Sequence, residues 1–380
     1  MPSKKTTTKK TTSSKLPALK ELKGINLKGR SLDSLIEHFS VKEVEYLTEL
    51  SIKVKKDKKI GNVLKQKQLL NGKNIVTLWE KDSTRTRCSF DVAAYDLGMN
   101  VSYIGPQGSN YGKKESIEDT AIVLGNFYDG IQFRGFRQDY VEALAKYSGV
   151  PVWNGLTDIE HPTQIIADLM TMVEEVGSYK NLKGKKFVFV GDYKNNMGHS
   201  EAAACAFSGM HCVLCGPSSY KNEMDKNLMS KLKEICKETG ATIEFCDDKI
   251  QAAKDADFIY TDVWVSLGEP FELFDKRIGE LKEFQVDMKM IKASKPSVKF
   301  LHCLPAFHDN HTKFAVEVAE KFGQKYPLVK NGEMEVTSEV FQSDYNIAFR
   351  EAENRMHSIK AIMLATMAEP KVYERILKLK

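Results

Sequence analysis

Five consecutive residues, Ser83-Thr84-Arg85-Thr86-Arg87, set two guanidinium groups among hydroxyls, directly after an apolar run at 75–79 and directly before a helical pattern. That position is a helix N-terminus, where the first backbone N–H groups are unpaired and the macrodipole favours an anion. Arginine adds a planar fork that matches phosphate oxygens two at a time. The run reads as a seat for a small, highly charged phosphate compound. Taken alone, the same residues read equally as a solvated helix cap with incidental arginines.

Other segments bear on that choice. His161-Pro162-Thr163-Gln164 opens a second helix, with the His and Gln one turn apart on the same side, suited to polarising a carbonyl and holding an amide. His302-Cys303-Leu304-Pro305-Ala306-Phe307-His308-Asp309 ends a strand-like run and puts a thiol at a strand terminus. A nucleophilic cysteine there has no clear base partner in the sequence, and strand-end packing is the plainer role. Asp262-Val-Trp-Val-Ser266-Leu267-Gly268 leaves another strand with a carboxylate, a hydroxyl and a glycine, a set suited to an ammonium group. Gly191-Asp-Tyr-Lys-Asn-Asn196-Met-Gly198 is a strand-to-helix turn without the GxGxxG pattern of a dinucleotide site. In Glu351-Ala-Glu-Asn-Arg355-Met-His357, Arg355 is a candidate anion contact.

The elements that must position these groups follow from periodicity. Ser40 and Glu43 predict a capping box opening a helix to about residue 56. Strands are expected at 74–80, 101–105, 131–134, 150–153, 186–190, 213–214, 242–246, 258–260 and 298–301. Helices fall between them: one ending at Gly98, then 116–127, 138–147, 162–176, 198–209 and 225–239, with a last long one over 344–367. Such alternation predicts parallel sheets covered on both faces, with ligands beyond the carboxyl ends of the strands. A break at 165–183 divides the chain into two α/β halves, as its 380 residues allow.

Composition excludes several classes. The net charge of +5 belongs to the first 28 residues, whose eight Lys and one Glu give a local +7 and leave the remainder at −2, so no nucleic-acid footprint is present. The Lys/Thr/Ser-rich opening lacks the apolar core of a secretory signal and is expected to be a disordered extension on a cytoplasmic protein. No apolar stretch approaches the ~18 residues of a membrane helix. Seven scattered cysteines argue against a disulfide framework; Cys212 and Cys215 have CxxC spacing but read as buried thiols. No metal spacing links His302, His308 and His311.

Together, Ser-Thr-Arg-Thr-Arg, His-Pro-Thr-Gln and His-Cys-Leu-Pro-Ala-Phe-His-Asp in this order resemble the aspartate/ornithine carbamoyltransferase family, and within it the ornithine-using branch, continuously from about residue 30 to the C-terminus. The resemblance implies an α/β, transcarbamylase-like fold of two parallel-sheet domains joined by interdomain helices. Residues 29–165 plus 346–380 would bind carbamoyl phosphate and 166–345 would bind ornithine, after the basic tail of residues 1–28. It also implies a homotrimer with shared active sites, no cofactor and no metal.

Carried over by position, Ser83, Thr84, Arg85 and Thr86 hold the phosphate and Asn110 adds a contact to carbamoyl phosphate. Arg134 and His161 meet the carbamoyl carbonyl oxygen, over which Arg355 closes. Gln164 and the Leu304 backbone hold the carbamoyl nitrogen. Asn196, Asp262, Ser266 and Leu267 hold ornithine, with Asp262 and Cys303 near its attacking δ-amine. The implied reaction gives L-citrulline and phosphate, or runs in reverse in arginine breakdown, by orientation and electrostatic stabilisation. Leu267 replaces a family Met, a change worth less than about 1.5 kcal/mol; Asn110 replaces a common Gln, and Lys113 a common His. Rival readings are another acceptor such as putrescine or aspartate, an inactive regulatory trimer and, for want of GxGxxG, most weakly a dinucleotide-dependent dehydrogenase.

Overall fold

The apolar runs of the first half become four parallel strands, β1 (Asn74–Trp79), β2 (Asn100–Ile104), β3 (Gly130–Arg134) and β4 (Val152–Leu156), in the order β2-β1-β3-β4. Those of the second half become β5 (Lys186–Val190), β6 (His211–Cys215), β7 (Thr242–Cys246), β8 (Phe258–Thr261) and β9 (Lys299–Leu301), also parallel, in the order β7-β6-β5-β8-β9. The central strands β3 and β8 are buried along their whole length, as a sheet covered on both faces requires. This computed structural model describes residues 19, 22, 24–107, 114–265 and 269–377. Asn110, Lys113, Ser266, Leu267, Gly268 and most of the basic opening segment lie outside the described residues.

The longer helices are α1 (Val41–Lys59), α2 (Thr84–Leu97), α3 (Ile117–Phe127), α4 (Gln138–Tyr147), α5 (Pro162–Val176), α6 (Asn196–Ser208), α7 (Lys226–Thr239), α8 (Leu273–Leu281), α9 (Lys313–Phe322) and α10 (Ala348–Met367). Local chemistry sets their ends. Ser40 and Glu43 form the expected reciprocal capping box on α1. Asn195 caps α6 by accepting from the Met197 and Gly198 amides, so that helix starts at 196, two residues before the expected position. The last helix starts at Ala348 rather than 344, because Ser343 and Asn346 hold a preceding turn with their side chains. Helices α8 and α9 were not expected. They pair around Phe271, Phe274, Phe314 and Phe322, an aromatic cluster that only tertiary packing creates.

Two helices tie the halves together. In α5 every residue from Pro162 to Val173 is buried. α10 packs on α1, α2 and α5 and buries polar groups as well as apolar ones. Its Lys360 is enclosed, ion-paired to Asp96 of α2, and donates to Gln66 at 3.1 Å. Burial pulls the Lys360 pKa down to about 8 against the opposing pull of Asp96. Asn354 accepts from Lys55 of α1 at 2.6 Å, and Thr366 accepts from the Trp153 indole at 3.0 Å. Cys212 and Cys215 are buried free thiols in β6. Among the described residues, no helix is long and apolar enough to cross a membrane.

Gly98 ends α2 with φ 90°, and a Cβ there would lie 2.2 Å from the Lys67 carbonyl oxygen. Gly149 has φ 71° with nothing within 4 Å. In urea titrations, Gly149→Ala should cost about 1–2 kcal/mol, the left-handed penalty alone, and Gly98→Ala distinctly more. Equal midpoints for the two variants would contradict the crowding at Gly98.

Candidate active site

Each sheet changes direction once. In the first, the chain leaves β1 toward β2 on one side, while β3 and β4 lie on the other; in the second, β5 leads to β6 on one side, while β8 and β9 lie on the other. Crevices beyond the carboxyl ends of strands at such switch points are where open α/β sheets bind ligands. Ser83–Arg87 follows β1, Arg134 ends β3, Asn196 follows β5 and Asp262 follows β8. All four segments face one cavity of about 480 Å³ between the sheets. The first turn of α5, the middle of α10 and the turn after β9 complete its wall.

The β1 side is built for an anion. Ser83 is the N-cap of α2, and its Oγ accepts from the Thr86 amide at 3.3 Å. Thr86 Oγ1 accepts from Arg134 Nη1 at 3.3 Å and Arg355 Nη2 at 3.2 Å, so one hydroxyl aims two guanidiniums. Arg85 lines the same cavity. Burial pulls all three arginines below the usual range, and the charge of Arg355 adds to the effect on Arg134. A group that loses solvation beside like charges gains most from a multiply charged anion. Thr84 is exposed and lies outside the cavity wall. Arg87 also turns away: two positions from Arg85, it lies on another side of the helix, over the Tyr103 ring at 3.9 Å and 4.0 Å from Asp91. One arginine of the run, not two, therefore lines the cavity.

On the middle wall, Arg355 Nη1 approaches His161 Nε2 at 3.3 Å. A guanidinium only donates, so Nε2 accepts and the ring proton sits on Nδ1. Burial, then the charges of Arg355 and Arg134, push the His161 pKa well below its usual value, and the ring is neutral. The same Nη1 donates to Gln164 Oε1 at 2.9 Å.

The β8 side has the opposite charge. Cys303 Sγ donates to Asp262 Oδ1 at 3.1 Å, which supplies the partner that the sequence did not reveal. Burial and the Asp262 charge raise the thiol well above its ordinary value, so Cys303 is a neutral donor rather than a thiolate nucleophile. Burial also raises Asp262, against the lowering effect of His302. Ligand atoms of Asp262, His302 and Cys303 lie within 4.8 Å of one another. Both His302 nitrogens are committed, however: Nδ1 accepts from the Leu304 amide at 2.9 Å and Nε2 bonds Glu335 Oε1 at 3.1 Å. Asp262 and Cys303 are thus bonded to each other, and His302 to Leu304 and Glu335. His308 stacks on Phe341 and His311 is exposed beside Asp309.

Leu304 and Asn196 also line the cavity, the latter donating to the Thr157 carbonyl at 2.6 Å. Three ion pairs escaped the sequence reading: Lys81–Asp158 at 2.7 Å, Arg277–Asp192 at 3.0 Å and Lys194–Glu223. Asp192 and Lys194 stand in the Gly191–Gly198 turn and were within reach of inspection. Arg277 lies on α8, with no local motif to mark it.

A neutral Cys303 predicts that Cys303→Ser keeps turnover within about 10²-fold, with the loss mainly in KM, and that mass spectrometry finds no covalent adduct on this cysteine in quenched reactions. A covalent adduct at Cys303 would contradict this geometry.

Known proteins place this architecture. Residues 34–174 match the family model for the aspartate/ornithine carbamoyltransferase carbamoyl-P binding domain, and residues 183–366 match the model for the Asp/Orn binding domain. A catabolic ornithine carbamoyltransferase of Malacoplasma penetrans is 67% identical over 343 residues, which is 90% of this chain and 99% of that protein. One of Mycoplasma pneumoniae is 57% identical over 348 residues, again 90% and 99%. The solved ornithine carbamoyltransferase of Pyrococcus furiosus superposes with a TM-score of 0.77 at 36% identity, covering 90% of this chain and 98% of that one. By sequence across most of its length and by fold, the chain belongs to the aspartate/ornithine carbamoyltransferase family.

Proposed function

We propose that the protein transfers the carbamoyl group between carbamoyl phosphate and the δ-amine of L-ornithine, with L-citrulline and phosphate as the other pair. The observation that carries this reading is the charge division of a single cavity: Arg85, Arg134 and Arg355 on one side, Asp262 on the other. Ser83, Arg85, Thr86 and the first amides of α2, that of Thr84 included, seat the phosphate. Arg134, neutral His161 and Arg355 surround the carbonyl oxygen. Gln164 and the Leu304 carbonyl accept from the carbamoyl nitrogen, with Asn110 as an added contact. Asn196, Asp262, Ser266 and Leu267 hold the amino acid, and Cys303 orients Asp262.

The lone pair of the neutral δ-amine attacks the carbamoyl carbon, and negative charge develops on its oxygen against the guanidiniums. The carbon–oxygen bond to phosphate then breaks, its electrons leave with the phosphate, and the amine gives up a proton. No cofactor enters the step. The name "catabolic" carried by the relatives at 67% and 57% identity supports phosphorolysis of citrulline as the working direction.

Residues 29–165 with 346–380 are assigned to carbamoyl phosphate and 166–345 to ornithine. A homotrimer in the cytoplasm completes the reading. Its support is the apolar surface that one chain leaves exposed, with Leu64, Tyr95, Ile122 and Phe127 between 49% and 76% accessible. Light scattering should give three times the chain mass of 43.0 kDa.

Citrulline formation from carbamoyl phosphate with ornithine, and not with putrescine or aspartate, tests the reaction directly; absence of product with ornithine would remove it. In calorimetry, Arg85→Ala should abolish carbamoyl-phosphate binding, and Asp262→Ala should mainly weaken ornithine. The reverse pattern would refute the assignment of the two sides. A lysine-type amine titrates near ~10, so the synthetic rate should rise with pH through neutrality. Ornithine affinity should fall on acidification, starting above the ordinary carboxylate value because Asp262 is raised.

A further inference from the structure

Directly behind the cavity lie three buried carboxyls that take no part in the transfer: Asp168 on α5, Glu201 on α6 and Glu351 in the first turn of α10. None of them lines the cavity. Glu351 Oε1 accepts from Gln164 Nε2 at 3.0 Å and from the Tyr260 hydroxyl at 3.1 Å, and its Oε2 accepts from the His302 amide at 3.0 Å. Asp168 Oδ1 accepts from Gln164 Nε2 at 2.7 Å.

A carboxamide has two hydrogens on nitrogen and two lone pairs on oxygen, and no other hydrogen-bonding capacity. Both Gln164 hydrogens point backward, to Asp168 and Glu351. The amide is therefore fixed with its carbonyl oxygen forward, where one lone pair accepts from Arg355 and the other faces the cavity. Glu351 also holds the His302 amide, and His302 Nδ1 holds the amide of Leu304, which adopts a left-handed φ of 57°. One carboxyl thus braces both groups assigned to the carbamoyl nitrogen. Burial raises all three carboxyls; the Asp168 charge adds to the rise at Glu201 and Glu351, while the Gln164 bond and the Arg355 charge oppose it at Asp168.

We infer that Glu351 is a positioning residue for donor specificity: it turns the Gln164 carbonyl into the cavity and so selects an acyl phosphate whose acyl carbon bears N–H donors. The inference rests on the carbamoyl-phosphate reading above. Acetyl phosphate has the same phosphate and carbonyl but a methyl group in place of NH2, and would leave buried acceptors unpaired.

Titration calorimetry of the full-length protein with carbamoyl phosphate, acetyl phosphate and inorganic phosphate tests it, using the wild type, Glu351→Gln and Asp168→Asn. The wild type should prefer carbamoyl over acetyl phosphate by about 10²-fold or more. In Glu351→Gln an amide nitrogen, which cannot accept, meets either Gln164 Nε2 or the His302 amide. Carbamoyl-phosphate affinity should fall on the order of 10–100-fold, inorganic phosphate should bind as before, and the preference should collapse. Asp168→Asn should shift it the same way by less. An unchanged preference in both variants would overturn the inference, as would parallel loss of all three ligands in both. A wild type without any preference would instead bring down the carbamoyl-phosphate reading itself.

Discussion

Arg85, Arg134 and Arg355 bring three guanidinium groups to one cavity, and like charges held together must be restrained by everything around them. A like-charged pair ~4 Å apart costs roughly 4 kcal/mol near a protein surface. The restraints are visible one by one. Thr86 Oγ1 accepts from Arg134 and Arg355, Gln164 Oε1 and His161 Nε2 also accept from Arg355, and the Asp168 charge lies behind Arg355. The positive field is therefore built before any ligand arrives, which is how an electrostatic site avoids reorganising during reaction. Asp262 and the neutral thiol of Cys303 mark where that field ends.

The fold explains why such a site spans two sheets. Each sheet supplies one switch-point crevice, and the three guanidiniums and the Asp262 carboxylate come from opposite sides of the cavity between them. The anion seat depends on β1, β3 and α2, whereas the cation wall depends on β5, β8 and the turn after β9. Helices α5 and α10 join them, and both are buried along most of their length. Polar groups within that helical layer, such as Lys360 with Asp96 and Lys55 with Asn354, are paired. They fix α10 on α1 and α2, while its Glu351 accepts across the boundary from Tyr260 and the His302 amide.

Much of this was legible in the sequence because its causes are local. Strand ends, the Ser83 cap, Pro162 and the turn at Gly191 announce themselves within a few residues, and eleven of the ligand residues that the family resemblance implied lie on the cavity wall. Arg87, which the run also contains, turns away for a reason equally local: a two-residue step on a helix reverses the side chain's direction. Other features have no local cause. Arg277 reaches Asp192 from a helix eighty-odd residues later, and the aromatic pairing of α8 with α9 draws on scattered phenylalanines. The orientation of Gln164 depends on two carboxyls, one of them 187 residues away. Periodicity carries no information about a hydrogen bond of that span.

The return of α10 to the cavity has a bearing on how the protein is made. Of the cavity's residues, Arg355 is the last to leave the ribosome, long after the sheets that flank it. Halves of such proteins tend to fold as they emerge, the N-terminal one first. Until α10 docks, Asp168 lacks the cation it faces, Gln164 lacks the carboxyl that turns it, and the two sheets lack their shared strut. The nascent chain thus holds the β1 side of the cavity before it holds the whole of it, and the cavity wall is completed by the final docking step.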